Sequence, residues 1–257
     1  MKAILLAAGI GKRLRPYTEA RPKCLIEIGG RTLLARHLDT LSTFNEIDGV
    51  LIVVGYRHDQ IRDAVTEWKS HDTTGLEVTF ASNERYTLGS ILSLYASRDT
   101  LSAHDSVIMD ADVLYHRDVM KRLIESPSEH CFLIDDQAEE SGEEMMVCIR
   151  DGRAMHIARS HHPSTQSGWD AKGEGVGFFK LAHKDSGALL SLIEDMVGQG
   201  LEKADYEDAL AGFMKKFSCG YVGIGDLPWT EIDFSEDIVA AEKDILPKIL
   251  EASSAPA

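Results

Sequence analysis

Ala3-Ile4-Leu5-Leu6-Ala7-Ala8-Gly9-Ile10-Gly11-Lys12-Arg13-Leu14-Arg15-Pro16, with Arg21-Pro22-Lys23 close behind, is the most informative stretch of this 257-residue chain. The apolar run Ala3–Ala8 reads as a buried strand that enters a turn with two glycines and a crowd of positive charge. Residues 1–31 hold seven Lys/Arg against two acids, a net of +5; the whole chain has 27 Lys/Arg and 42 Asp/Glu, a net of −15, so the rest nets −20. A basic turn on so acidic a chain calls for a polyanionic partner, and a nucleoside triphosphate is one. Glycines lack Cβ, so their backbone N–H groups approach phosphate oxygens closely. The turn is not a Walker A loop, because Leu6 stands where its first glycine belongs and Arg13 follows Lys12. It is not a dinucleotide fingerprint either, because Leu14 replaces the third glycine. Taken alone, Gly-x-Gly after a strand also suits a plain tight turn.

Outward from that turn the chain alternates. Strands are expected at 2–8, 49–55, 76–81 and 106–109, and helices at 32–43, 57–69 and 88–98. In the first helix Leu33, Leu34, His37, Leu38 and Leu41 recur at helical spacing. This rhythm predicts an α/β fold: one domain over 1–252, with a mixed, mostly parallel, Rossmann-like sheet covered by helices on both faces. Ligands of such sheets sit at the carboxyl ends of the strands. Further on, Met145–Arg150 and Arg153–Ala158 read as a hairpin around Asp151-Gly152, within 144–158, although those two residues suit a longer turn as well. Helices are expected at 184–197 and 206–216. Ser235 is expected to cap a last helix, with 253–257 a frayed tail.

Composition narrows the class. The 44% hydrophobic content supports a sizeable core. Four scattered cysteines (24, 131, 148, 219) form no Cys-x-x-Cys pair, which argues against zinc or a disulfide framework and fits a reducing cytoplasm. The N-terminal apolar run is too short for a secretory h-region, and nothing approaches a bilayer span, so no membrane insertion is expected. The acidic balance disfavours nucleic acid. The run Glu139-Glu140-Ser141-Gly142-Glu143-Glu144 reads as a solvated loop, and His161-His162 as surface.

Two acidic pairs carry the chemistry. Val107-Ile108-Met109-Asp110-Ala111-Asp112 ends a strand on two acids that share a face if the backbone stays extended. Trp229-Thr230-Glu231-Ile232-Asp233 offers a second such pair. Carboxylates suit a hard cation that also accepts phosphates as ligands. Each pair by itself also reads as a solvated edge. Together with the basic turn they outline a phosphoryl-type transfer site, where clamps and a metal offset charge.

The signature from Leu6 to Leu14, with Pro22-Lys23, resembles that of the nucleotidyltransferases that make nucleoside-diphosphate sugars. Over nearly the full length the chain is similar to cytidylyltransferases acting on phosphocholine and on phosphonates such as 2-aminoethylphosphonate. Asn83-x-x-Tyr86, Ser93-Leu94, Asp110-Ala111-Asp112, Tyr206-x-Asp208 and Glu231-Ile232-Asp233 also carry that likeness. The resemblance implies the nucleotide-diphospho-sugar transferase fold and a CTP-dependent reaction with a small phosphate or phosphonate and Mg²⁺. It implies nucleotide contacts from Leu6, Ala8, Gly9, Gly11, Lys12, Arg13, Lys23 and Asn83, with Arg13 and Lys23 catalytic. Asp112, Glu231 and Asp233 would hold Mg²⁺. Tyr86, Ser93, Asp110, Glu174, Tyr206, Glu207 and Asp208 would line the second-substrate site, with Tyr206 and Asp208 holding a cationic nitrogen. Leu88-Gly89-Ser90 stands where many phosphocholine relatives have two asparagines, and Gly89 with Ser93-Leu94 is also similar to the inositol-phosphate enzymes. Rivals are a sugar-1-phosphate nucleotidyltransferase and, from another class, an inactive nucleotide-binding regulator. The assembly is left open, a homodimer included.

Overall fold

The structure, a computed structural model, describes residues 1–138 and 142–254. The strand Lys2–Ala7 lies between Gly49–Val54 and Ser106–Asp110, parallel to both, and Val78–Ser82 adds a fourth parallel strand beside Gly49–Val54. All six residues of Gly49–Val54 are buried, as expected of a parallel strand covered on both faces. In register, Leu6 stands beside Asp110 and Val53, and Val54 beside Ser82. The turns after residues 7, 54, 82 and 110 therefore converge on one edge of the sheet. Leu33–Leu41 packs with the apolar stripe read from its spacing, and the Thr32 hydroxyl caps it by accepting from Ala35 N at 3.1 Å.

The other half of the sheet was less legible. Ala171–Leu181, eleven residues long, runs antiparallel to Ser106–Asp110. It then diverges, pairing with Met145–Arg150 on one side and Cys131–Asp135 on the other, with a register shift between Gly175 and Phe179. Arg153–Arg159 closes the first arm, and Gly220–Gly223 the second, parallel to Cys131–Asp135. Sequence reading missed Cys131–Asp135, Ala171–Leu181 and Gly220–Gly223. Glycines at 173, 175 and 177 interrupt any alternation in the long strand, and Gly177 has φ +78°. The hairpin needs no longer turn, because Asp151 (φ 50°) and Gly152 (φ 70°) are both left-handed, as a two-residue type I′ turn requires.

Apolar side chains fill both faces of the sheet. A third cluster joins Leu14 and Ile28 to Ile232, Ile238, Leu246 and Ile249, so the C-terminal helices buttress the glycine turn. Ser235 does not cap its helix. Its hydroxyl turns to Glu236, and the Asp237 carboxylate instead accepts from Asp233 N at 2.8 Å and Phe234 N at 2.7 Å. The last helix, Leu246–Ser254, runs two residues past the expected end at 252, and 255–257 lie outside the described residues. So do Glu139, Glu140 and Ser141 of the acidic run.

The helix expected from residue 88 begins at Ile91, because Leu88–Ser90 form a docking turn. Gly89 N donates to Glu202 O at 2.9 Å and Tyr206 N to the Ser90 hydroxyl at 2.9 Å, which tethers the segment that leads into Tyr206. A Cβ at Gly89 would stand 2.1 Å from Ala204 O. Gly89→Ala is therefore expected to destabilise the fold by about 1–3 kcal/mol, the usual result of overpacking, read as a lower urea midpoint. An unchanged midpoint would mean that the 202–206 segment yields freely.

Candidate active site

The glycine turn occupies the convergence edge. Gly11 is left-handed (φ +65°), and a Cβ there would crowd Thr18 Cγ2 at 3.1 Å and Lys23 Cβ at 3.2 Å. The Thr18 hydroxyl donates to Gly11 O at 2.7 Å and holds the turn. A Cβ at Gly9 would meet nothing within 4 Å, so the backbone there is open to a ligand. Lys12 is exposed and has no side-chain hydrogen bond or ion pair among the described residues. Leu6 and Ala8 belong to the strand end, where Ala8 O accepts from Tyr56 N at 3.0 Å.

The second acidic pair reaches the first through a short antiparallel ribbon. Trp229–Glu231 pairs with Val113–Tyr115, and Ile232 N donates to Asp112 O at 3.1 Å. Asp112, Glu231 and Asp233 thereby offer carboxylate oxygens within 4.8 Å of one another, a spacing that a small hard cation can bridge. Asp112 Oδ1 is buried without a hydrogen-bond partner, so the cluster keeps one unsatisfied acceptor. Lys23 lies among the three acids. Its ammonium donates to Asp112 Oδ2, to Asp233 Oδ1 at 2.5 Å, and stands 4.0 Å from Glu231 Oε1. Burial alone would lower the Lys23 pKa, but Asp112, Asp233 and Glu231 together hold it above the usual lysine range. Arg13 donates to Asp233 Oδ2 at 2.5 Å and Glu143 Oε2 at 2.7 Å while stacking over the Phe234 ring at 5.0 Å.

The condition on which Asp110 and Asp112 would share a face, an extended backbone, is not met. The strand stops at Asp110 and Ala111-Asp112 form a turn, so the extended geometry ends there, and the two carboxylates take different partners, Asp112 the Lys23 ammonium and Asp110 the Tyr206 hydroxyl. Asp110 accepts from the Tyr206 hydroxyl at 2.9 Å. Burial, with Asp112 and Glu207 nearby, pushes its carboxyl well above the usual range. A Cβ on Gly177 would lie 2.6 Å from Asp110 Oδ2, which explains the glycine in that strand.

Beyond Asp110 opens a cavity of about 510 Å³, walled by the antiparallel half of the sheet. Nine carboxylates and two guanidinium groups, Arg13 and Arg159, line it among the described residues. Glu174 and Glu207 stand here, as does Tyr206. Burial pushes Glu174 up to about 7, with Glu144 and Asp135 adding to it. Burial likewise pushes Glu207 up to about 8. Sequence reading missed Asp135 and Glu144 as wall residues, since nothing in their neighbourhood resembles a motif. The acidic run is no free solvated loop at its end: Glu143 holds Arg13, and Glu144 accepts from the Ser160 hydroxyl at 2.9 Å.

Three residues expected at the second-substrate site, Tyr86, Ser93 and Asp208, and one expected to contact nucleotide, Asn83, do not line this cavity. Asp208 is exposed, and its carboxylate accepts from Asp205 N at 3.2 Å in a capping box for Tyr206–Met214, so it does not face the cavity. Asn83 and Ser93 are buried and bonded to each other, Nδ2 to Oγ, at 3.0 Å. That bond braces the end of Val78–Ser82 and does not line the cavity. Tyr86 packs over Gly55 beside the turn, away from the acidic wall. Tyr206 is in the wall, but its hydroxyl is committed to Asp110. Asp208→Ala is expected to lower stability by about 1 kcal/mol through loss of the cap and to leave the KM of either substrate within about twofold, a change below ~0.4 kcal/mol. A selective rise in one KM would return Asp208 to the site.

Comparisons with known proteins identify the family and the fold. A CTP:phosphoglutamine cytidylyltransferase from Campylobacter jejuni is 20% identical over 258 residues, covering 93% of this chain and 98% of that protein. A choline-phosphate cytidylyltransferase from Haemophilus influenzae is 29% identical over 202 residues, covering 77% and 76%. The solved inositol-1-phosphate CTP transferase of T. maritima superposes with a TM-score of 0.76 at 19% identity, covering 100% and 97%, and shares the fold. Residues 3–186 match the MobA-like NTP transferase domain, a span that takes in the glycine turn, Lys23, Asp112 and the long glycine-rich strand; the chain belongs to this nucleotidyltransferase family.

Proposed function

We propose that this protein is a Mg²⁺-dependent cytidylyltransferase that joins CTP to a small phosphate or phosphonate bearing a cationic nitrogen, with 2-aminoethylphosphonate and phosphocholine the leading candidates. The observation that carries the substrate class is the carboxylate-lined cavity next to the glycine turn. A neutral sugar favours amides and hydroxyls, whereas an ammonium group is held by carboxylates and aromatic faces. The CTP requirement is supported by the relatives, two of which are named as cytidylyltransferases.

In the proposed reaction an acceptor oxygen attacks the α-phosphorus of CTP and pyrophosphate leaves. The attacking phosphate oxygen is already ionised near neutral pH, so no side chain has to take its proton. The open backbone at Gly9 and the left-handed turn at Gly11 receive the phosphates. Lys23 and Arg13 offset charge that develops on the non-bridging and leaving oxygens. Mg²⁺, held by Asp112, Glu231 and Asp233, would supply further neutralisation and a template for the phosphates. The buried and unsatisfied Asp112 Oδ1 supports that assignment. Glu174 and Glu207 hold the acceptor's nitrogen from the cavity wall, while the Tyr206–Asp110 bond keeps the floor rigid.

Pyrophosphate release should be measured for four nucleoside triphosphates against 2-aminoethylphosphonate, phosphocholine, inositol phosphate and several sugar-1-phosphates. CTP with an amine-bearing acceptor is expected to be fastest. A sugar-1-phosphate outrunning both would move the enzyme to the sugar class, and equal turnover of 2-hydroxyethylphosphonate would remove the role of the nitrogen.

Lys23→Ala is expected to cut kcat/KM by about 100-fold or more, about 2.7 kcal/mol of transition-state stabilisation. Retention of more than about a tenth of wild-type activity would demote Lys23 from the clamp. Glu174 gives a pH signature. Its carboxyl is pushed up to about 7, so it is largely neutral below that pH and anionic above it. The KM of a cationic acceptor should then fall as pH rises from about 6 to 8, one unit either side of that value. In Glu174→Gln that slope should flatten, while the KM for CTP is unaffected; an identical slope in the variant would remove Glu174 from acceptor binding.

A further inference from the structure

We infer that Lys23 is the site's resident cation: its ammonium occupies the Asp112–Glu231–Asp233 cradle until a triphosphate draws it away, so that a divalent ion enters only with nucleotide. The inference rests on the metal assignment proposed above, and goes beyond it by making metal and nucleotide binding mutually dependent. The Lys23 side chain is 13% exposed and donates to Asp112 Oδ2 and to Asp233 Oδ1 at 2.5 Å. Arg13 takes Asp233 Oδ2 at 2.5 Å, so both oxygens of Asp233 already face a cation. Asp112 Oδ2 and both oxygens of Asp233 are thus committed to side-chain cations, and a dication beside a retained ammonium meets direct repulsion.

The Lys23 side chain also lies against the turn on which phosphate would sit. The Lys23 stem runs along the glycine turn: a Cβ on Gly11 would lie 3.2 Å from Lys23 Cβ and 3.5 Å from its Cδ. A phosphate seated on Gly9–Gly11 therefore competes for the same ammonium from the other side of a flexible four-carbon chain. Rotation of that side chain exchanges carboxylate for phosphate without moving the backbone. Arg13 is placed to make the same exchange, since it and its partners Asp233 and Glu143 line the same cavity. Linkage then requires that nucleotide raise metal affinity by the same factor as metal raises nucleotide affinity.

The test is binding of Mn²⁺ alone, without nucleotide, followed by electron paramagnetic resonance of the free ion. Wild type, Lys23→Ala and Lys23→Arg are compared, with circular dichroism as the check on folding. Lys23→Ala is expected to bind Mn²⁺ about tenfold tighter or more than wild type. Lys23→Arg, which keeps a cation in the cradle, should remain weak, and adding Asp112→Asn to Lys23→Ala should abolish the gain. Lys23→Gln retains much of the stem and a hydrogen-bonding head without the charge, and carries the same comparison if the alanine variant does not fold. Wild type binding Mn²⁺ as tightly as Lys23→Ala, through a site lost in Asp112→Asn, would overturn the resident-cation role while leaving the metal site in place. Mn²⁺ binding indifferent to Asp112→Asn in every variant would remove the metal assignment and this inference with it.

Discussion

Three carboxylates brought within 4.8 Å of one another repel unless positive charge stands among them, and in this protein that charge comes from the N-terminal turn. Lys23 and Arg13 belong to the first 31 residues, whereas Asp112 and the Glu231/Asp233 pair come from the end of a central strand and from a ribbon more than 100 residues later. The chain Glu143–Arg13–Asp233–Lys23–Asp112 is thus both a tie between distant segments and the chemical centre of the site. Removing one partner of such a cluster leaves its neighbour's charge uncompensated, which costs far more than losing a surface pair. Leu14 and Ile232, the chain neighbours of Arg13 and Asp233, are packed in one apolar cluster, which ties the two segments together independently of charge.

The two halves of the sheet divide the work. The parallel half aligns the carboxyl ends of four strands, which brings the glycine turn and the Asp110-Ala111-Asp112 turn to one edge. The antiparallel half supplies the walls of the acidic cavity. Ala171–Leu181 belongs to both: Phe178 and Phe179 pair with the central strand, while Ala171–Glu174 pair with the outer arm. Its glycines let it diverge between two neighbours and let Asp110 pack against Gly177. The strand that weakens the periodic signal is the one that positions the cavity.

Legibility followed the physical range of each signal. Apolar runs and helical spacing depend on neighbours a few residues away, so the four parallel strands between Lys2 and Asp110 and the helix Leu33–Leu41 were readable, whereas the two-residue ribbon Glu27–Ile28/Arg31–Thr32 was not. Roles that depend on what a side chain meets across space were not. Asp208 and Glu207 are adjacent acids in the first turn of one helix, yet one caps the helix end and the other enters the cavity. Asn83 and Ser93 match a family pattern but bond each other, with Asn83 Oδ1 accepting from Arg85 N. Asp135 and Glu144 carry no motif and still form part of the wall.

By itself, the sequence determined that a basic glycine turn follows a buried strand, that two acidic pairs end strands elsewhere, and that the family is that of nucleotidyltransferases. Charge, glycine content and hydrophobic order are properties of the chain, so no folding is needed to see them. Only the tertiary structure decided that Asp110 pairs with Tyr206 while Asp112 pairs with Lys23, that Lys23 lies among the three acids, and that Glu174 and Glu207 face a common cavity. Each of these depends on burial and on the distance between residues remote in sequence. Local patterns do not encode those distances, and charge interactions are set by them.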